Sequence, residues 1–507
     1  MKVTTLVMSR EASHGQLGTE SCVDENYPNC ACCLIDRKYI IPKMFYLFYF
    51  AGLGAVLPYQ PLFYKDLGIP AKKAGIISGI QPFVSFLFTP VWGAVADKFQ
   101  KGRFIFVMSF TALTAVGIAY ILTPMPHCED AYGRRSLCAI QSKGNYSILY
   151  KFSQQVIESH DLNRWPIQAE ESESNLQTRE SKQHDVDEGI DVFLYLLLVS
   201  LFGTLFSCPS LPLGDAAVVC KLRKNNDVHK YGKQKRWASI GWGVAAFSFG
   251  AIISDRYLCP DIPQQKAVID YSLCFYGSIV LKLLALFSGF RLDFNMNGDN
   301  KGDQSPGIKE ETRGVMEVLK AIREPRFLAF LVVVLYSGMT FGMIMGFFFW
   351  HLKDNSAPHI LFSIIPVIRS VADVIVYTMS PHIITLIGVR NLIYLVLVGY
   401  ITRLTCFTFV SSPWAFIPLE LLSGLTSAGG WAAFVAFIAY HSVEGAPATL
   451  QGILHAAYHG IGHGLGRVIG GFLFSSLGSK ATFSIFGGFG IIMLIMYFTV
   501  NKAFENT

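Results

Sequence analysis

Long apolar runs bounded by charged or turn-forming residues recur along the whole 507-residue chain, and they leave few folds open. A run of about 17–25 mostly apolar residues crosses the hydrocarbon core as an α-helix. In lipid every backbone N–H and C=O has to be satisfied inside the protein, and a helix does this within one segment. Twelve such runs begin near Met44, Ala74, Phe104, Val192, Trp237, Tyr271, Phe327, Ile360, Asn391, Trp414, Thr449 and Ala481. The chain is 52% hydrophobic and only 15% charged, whereas soluble domains carry about 25% charged residues. An all-α membrane protein with twelve transmembrane helices is therefore expected, and a soluble enzyme is not. The net charge of +6 is small and its basic residues sit in short loops, which argues against nucleic-acid binding. Eleven cysteines, scattered along the chain, do not make a disulfide scaffold.

Basic residues orient the spans, because short loops rich in Lys and Arg stay on the cytoplasmic side. Residues 1–43 form a polar tail without the pattern of a cleaved signal peptide, so both termini, including 501–507, are expected in the cytosol. The loop after span 2 then places Lys98, Lys101 and Arg103 inside, and the loop after span 4 does the same for Lys221 to Arg236. Residues 44–290 make one six-helix half and 327–500 the other, joined by a basic cytosolic linker, 291–326. In that linker Val315, Val318, Leu319 and Ile322 alternate with charges at helical spacing, as in an interfacial or ordinary linker helix. The acidic loop 123–190 falls outside or in the lumen and contains the sequon at Asn145. Cys128 and Cys138 lie in the same loop, where an oxidising lumen would either pair them or leave them as thiols. Cys22, Cys30, Cys32 and Cys33 suit juxtamembrane palmitoylation or no modification better than zinc. Plasma membrane and endomembrane both remain open.

Six spans, a linker and six more spans is the plan of transporters built from two repeats around a central site. After span 2 the chain reads Gly93-Ala94-Val95-Ala96-Asp97-Lys98-Phe99-Gln100-Lys101-Gly102-Arg103. This resembles the signature of the major facilitator superfamily, with Gln100 at the usual second Gly. The resemblance implies the major facilitator fold, with Gly93 at a close helix contact and Asp97, Lys98 and Arg103 clamping a cytoplasmic gate. The same place in the second half, Pro381 to Arg390, keeps Gly388 and Arg390 but lacks the acid. Tyr231 to Gly243 looks like the helix-5 entry of lactose-permease-like sugar/proton symporters. Leu419 to Thr426, Trp431-Ala432-Ala433 and Thr449 to Gly452 fit a eukaryotic branch related to them, the major facilitator superfamily domain-containing protein 6 group.

Ionisable groups at membrane depth are costly, so each is a functional candidate. Asp215 on span 4, Lys235 and Arg236 at the start of span 5, and Trp242 seven residues beyond Lys235 form one group. In the lactose-permease relatives an acid, an Arg and a Trp at such places hold the sugar, although Lys235 here lacks the Arg fork. A gate salt bridge with an interfacial Trp is the other reading. Tyr59 and Gln60, in the Pro-flanked end of span 1, join the substrate-contact candidates. Arg369 and Asp373, four apart on span 8, share a face near mid-membrane and make either a proton-coupling unit or a fixed pair. Arg403 and Glu420 lie at similar depth on spans 9 and 10, make a plausible pair and join Asp373 and the span-11 histidines as proton-coupling candidates. The resemblance implies a His and a Glu on helix 10 for proton coupling, whereas this chain has Ser423 and Thr426 there. His455, His459 and His463, continued by Arg467, recur every four residues on span 11 and form a polar stripe. Histidines titrate near neutrality, so the stripe either relays protons or contacts solute, or else it hydrogen-bonds between helices. Metal ligation has the weakest support there, because no acid accompanies the stripe.

These residues point to a secondary active transporter of a small polar solute, sugar- or nucleoside-like, moved by alternating access with protons. No cofactor and no enzymatic motif is indicated. A cell-surface receptor on a transporter scaffold, with a protein ligand on the outer loop, is the alternative.

Overall fold

A computed structural model describes residues 37–123, 128–129, 135–136, 192–225, 231–254, 257–259, 268–292, 323–440 and 447–504. Asn145, Cys138, the amino-terminal cysteines and the linker segment around Val318 lie outside the described residues, as does the side chain of Cys128. Arg37–Tyr39 forms a 3-10 turn. The helices that follow are α1 (Ile40–Gly54), α2 (Gln60–Asp66), α3 (Ala71–Phe99), α4 (Gly102–Ile121), α5 (Val192–Lys224), α6 (Tyr231–Ile253) and α7 (Ser272–Phe290). The second half comprises α8 (Pro325–Asp354), α9 (His359–Ile387), α10 (Val389–Phe409), α11 (Pro413–Tyr440), α12 (447–477) and α13 (479–503). Two minimal antiparallel strand pairs, Cys128–Glu129 with Arg135–Ser136 and Tyr257–Cys259 with Val268–Ile269, lie in connections.

Nine stretches among the described residues are long and apolar enough to cross a bilayer. The last, Leu450–Ala503, is two helices, because Gly478 at φ 82° turns the chain between α12 and α13. α1 is a shorter apolar helix that α2 prolongs after a break, and α6 is long enough but begins in a basic cluster that lowers its hydropathy. The result is twelve membrane-crossing segments in two halves of six. α3 and α9, the second helix of each half, both carry two internal prolines, Pro82 with Pro90 and Pro366 with Pro381. Both are followed by a residue of positive φ, Gln100 at 53° and Gly388 at 79°. Gln100 thus adopts the left-handed conformation that the superfamily signature assigns to glycine.

The halves meet along two seams, α3 against α12 and α6 against α9. A Cβ on Gly75 would lie 2.5 Å from the Arg467 carbonyl, and one on Gly471 2.6 Å from that of Ala71. A Cβ on Gly250 would lie 2.6 Å from Ser363 Oγ. All three contacts belong to the end of the bundle where α2 and α8 finish. There Lys65 pairs with Asp354 and Lys353 with Asp66, while the Tyr271 hydroxyl donates to Asp66 at 2.8 Å. The opposite end is splayed. A Cβ on Gly93 would meet nothing within 4 Å, so the close helix contact expected there is not made in this conformation. Val91, Phe99, Val371, Ile375 and Met379 are exposed toward the same end.

Close packing inside the second half is strictest at Gly466, where a Cβ would fall 1.9 Å from the Met339 carbonyl of α8. Gly466→Ala is expected to destabilise the protein by about 3 kcal/mol or more. Gly488→Ala, on α13 with nothing within 4 Å of its Cβ, should be neutral or stabilising by about 0.5–1 kcal/mol. Thermal unfolding of both variants in one detergent checks the contrast, and equal melting temperatures would contradict it.

Candidate functional site

A cavity of ≈ 460 Å³ lies between the halves. The first half contributes Phe50, the Leu57-Pro58 break and Trp242 of α6. The second contributes Phe341, Phe348 and Phe349 of α8, Arg369, Ser370, Asp373 and Tyr377 of α9, and His459, His463 and Arg467 of α12. Trp242 reaches it because α1 and α6 touch closely, a Cβ on Gly54 being 2.6 Å from the Trp242 carbonyl. One wall is therefore aromatic and neutral, and the other carries the charges.

Behind the charged wall Glu420 is fully buried between two guanidinium groups. Arg369 donates to its Oε2 at 2.8 and 3.0 Å, and Arg403 to both carboxylate oxygens at 2.8 and 2.9 Å. Burying charges this deeply is sustained only when hydrogen bonds replace the lost water, and the two Arg forks do so. Arg403 also reaches Thr426 Oγ1 at 3.3 Å and lies over the Phe407 ring. Arg369 gives two hydrogen bonds to Glu420 rather than pairing directly with Asp373 four residues on.

Asp373 has a different partner. Its Oδ1 lies 2.6 Å from Ser427 Oγ, and the same Oγ is 2.8 Å from the Ser423 carbonyl. Ser427 sits in a π-helical segment of α11, Gly424–Gly429, and a second π segment, Ala456–Gly462, lies in α12. Such wide turns are rare and gather at functional sites. In α12 the wide turn pulls the four-residue repeat back toward one line. His455 and His459 rings stack at 5.5 Å, His459 and His463 follow at 5.0 Å, and Trp431 packs on the first two at 4.8 Å. His463 also stacks on Phe341 at 4.9 Å.

The remaining candidates are placed elsewhere. Asp215 binds Lys235 at 2.8 and 3.0 Å and accepts from the Tyr46 hydroxyl at 2.5 Å, a closed cluster beside the cavity rather than in its lining. Arg236 is exposed. The Tyr59 hydroxyl donates to the Ala246 carbonyl and so pins α6. Gln60 donates to Tyr64 and Tyr120 at 2.7 and 2.9 Å in a buried network. Neither Tyr59 nor Gln60 lines the cavity, because Pro61 starts α2 and both side chains turn into helix packing. Lys98 and Arg103 are exposed at the splayed end, Arg103 over the Phe290 ring, and the side chain of Asp97 lies outside the described residues. Among the described residues no group of three His, Cys, Asp or Glu side chains is arranged to hold a metal ion.

Sequence reasoning passed over Ser427 and Tyr377, which have no spacing signal. It also passed over the Lys–Asp pairs, which did have one. The dipeptide Lys65-Asp66 ends the first span of one half and Lys353-Asp354 the first span of the other.

Known proteins place this geometry. The profile of the MFS_1 like family matches residues 39–485. A major facilitator superfamily domain-containing protein 6-like of Danio rerio is 20% identical over 87% of this chain and 84% of its own length. The uncharacterized transporter YwbF of Bacillus subtilis (strain 168) is 20% identical over 92% of this chain and 96% of its own. Among solved structures, the nucleoside transporter NupG superposes with TM-score 0.63 at 14% identity, covering 92% of this chain and 100% of that one. A bacterial homolog of the human lysosomal transporter Spinster, in an inward-facing and unoccupied conformation, gives TM-score 0.60 at 11% identity over 92% and 97%. Twelve membrane-crossing segments in two halves around a charged cavity, with a profile match over nearly the whole bundle, place this chain in the MFS_1 like family of the major facilitator superfamily, with the domain-containing protein 6-like proteins among its relatives.

Proposed function

We propose that this multi-pass membrane transporter is a proton-coupled secondary carrier of a small polar solute that binds in the cavity between its halves. One observation carries the reading: the cavity is latched at one end by reciprocal ion pairs and splayed at the other, with an acid in its wall. With the orientation expected from the basic loops, the latched end is outside and the conformation is inward-open. Alternating access then requires breaking the latch and closing the Gly93 end. A solute drives this only by binding the two facings differently. The aromatic wall suits a ring-bearing solute, sugar- or nucleoside-like.

Asp373 is the proton carrier in this reading, and Glu420 is not. Two guanidinium groups neutralise Glu420, whereas Asp373 is hydrogen-bonded to a serine hydroxyl and lines the cavity. Ser427 has one proton and two acceptors within reach. It donates to an ionised Asp373, or it donates to the Ser423 carbonyl while a protonated Asp373 donates to it. Both protonation states are thereby satisfied without moving a helix.

Uptake into proteoliposomes of a panel of sugars, nucleosides and other polar metabolites, with and without a pH gradient, tests the reading. Gradient-driven uptake that Asp373→Asn renders pH-independent, with the variant folded, is the expected result. Uptake by the native protein that ignores the gradient would exclude coupling, and capture of a protein ligand without any uptake would favour a receptor. Glu420→Gln leaves two buried guanidinium groups without their counter-charge and should cost about 3–5 kcal/mol, read as a lowered melting temperature. For the latch, Ser363→Cys reports on the α6–α9 seam, where Ser363 is buried. Combined with Asp66→Asn and Asp354→Asn, it should react faster with a membrane-impermeant maleimide added from outside. An unchanged rate would rule out the latch.

A further inference from the structure

Among the described residues Arg369, Arg403, Glu420 and an ionised Asp373 sum to zero around the cavity, and Arg467 is a further cation. Arg369 and Arg403 share Glu420, and Asp373 is held by Ser427. Arg467 instead gives Nη1 to the Ser78 carbonyl at 2.9 Å, has a buried Nε without a partner, and meets no carboxylate among the described residues. One turn earlier on α12, His463 lies flat on Phe341 and also has a buried ring nitrogen, Nε2, without a partner. Both side chains line the cavity. A carbonyl dipole supplies a hydrogen bond but no charge, so a guanidinium in this low-dielectric site lacks its counterion.

We propose that Arg467 and His463 form an oxyanion subsite of the cavity that takes a carboxylate or phosphate carried by the transported solute. The proposal rests on the cavity being the solute site. An oxyanion answers both deficits at once, because it brings negative charge and several acceptor lone pairs to a planar fork of donors. Phe341, Phe348 and Phe349 line the same cavity and make that part of it suited to a flat apolar body. Asp373 across the same cavity disfavours a second negative group. The solute class is thus a monoanion with an aromatic or similarly flat body. A purely structural Arg467, tying α12 to α3 through Ser78, would be indifferent to the charge of such a molecule.

The test uses full-length protein in nanodiscs and isosteric probes at millimolar concentration. Indole-3-acetate carries the carboxylate, indole-3-ethanol replaces it with a neutral hydroxyl, and phenyl phosphate offers the other oxyanion. Thermal stabilisation by at least one anion and little by the alcohol is expected, and the ratio between the two anions identifies the preferred source. Arg467→Gln should weaken anion binding by about tenfold or more, which is the worth of a charge-assisted hydrogen bond. Arg467→Lys, which keeps the charge and loses the fork, should fall between the two. His463→Gln, which leaves the tie to Ser78 intact, should weaken the same anion and gives the reading if Arg467→Gln fails to fold. Stabilisation by the alcohol equal to that by the anions, no stabilisation by either anion, or full anion binding by His463→Gln and a folded Arg467→Gln would each overturn the subsite. Uptake of neutral solutes untouched by Arg467→Gln would overturn it while leaving transport standing. Anion binding without uptake of any solute would do the reverse.

Discussion

The reciprocal exchange between two Lys–Asp dipeptides is the interaction on which the observed conformation turns. Lys65 reaches Asp354 and Lys353 reaches Asp66, so each half gives the other the same pair of charges. That symmetry follows from building a transporter out of two repeats, because the end of the first helix in one repeat faces its counterpart. The chemistry matters as much as the symmetry. The Lys65–Asp354 pair, with Asp354 nearly half exposed, contributes only about 0–1 kcal/mol, since water competes for the same charges, while Lys353–Asp66 is more enclosed. An apolar plug at this place would hold the end shut too firmly. Two ion pairs, backed by glycine seams in which backbones nearly touch, hold it while keeping the open alternative within reach of a modest differential binding energy.

The opposite logic governs Arg369, Glu420 and Arg403. Glu420 and Arg403 are buried within the second half while Arg369 also lines the cavity, and the hydrogen bonds among the three join helices α9, α10 and α11. Breaking the triad would strand a charge in a low-dielectric interior. It is accordingly suited to a part that does not move relative to its surroundings, and it gives Asp373 a fixed electrostatic setting. The π segments next to it serve the same end, one presenting Ser427 to Asp373 and the other lining up the α12 histidines.

The fold was almost entirely legible in the sequence. Apolar run length is a one-dimensional signal, and the bilayer converts it directly into helices, so the start of nearly every span could be placed; α6 is the exception, because its basic first turns conceal a helix that begins at Tyr231 rather than Trp237. The site was legible only in part. Depth along a helix is arithmetic, which brought Arg403 level with Glu420 and put Trp242, Asp373, His459 and His463 at cavity depth. Azimuth between helices is not. Arg369 and Asp373 share a face in sequence, yet the guanidinium is long enough to choose Glu420 on another helix. Tyr59 and Gln60 sit at the right depth and turn the wrong way, because the break after Pro58 rotates α2. Asp215 and Lys235 satisfy each other, a pairing that helix-by-helix reading leaves undecided.

Movement of one half against the other would leave most of these contacts untouched. The triad, the Asp373–Ser427 contact and the histidine stack all lie inside the second half, and the Asp215–Lys235–Tyr46 cluster lies inside the first. The polar contacts that cross between the halves include the latch, the Lys65 bond to the Trp350 carbonyl at 3.3 Å and the bond from Arg467 to the Ser78 carbonyl of α3. Of these, the Arg467 bond belongs to a residue that also lines the cavity. Under the proposed subsite, Arg467 is a place where occupancy of the cavity would bear on the fit between the halves. A ligand that competes for its donors weakens the tie to α3, and one that shares them strengthens it. In the proposed mechanism this guanidinium would then be one link between binding and rearrangement, alongside the charges that the second half holds in place.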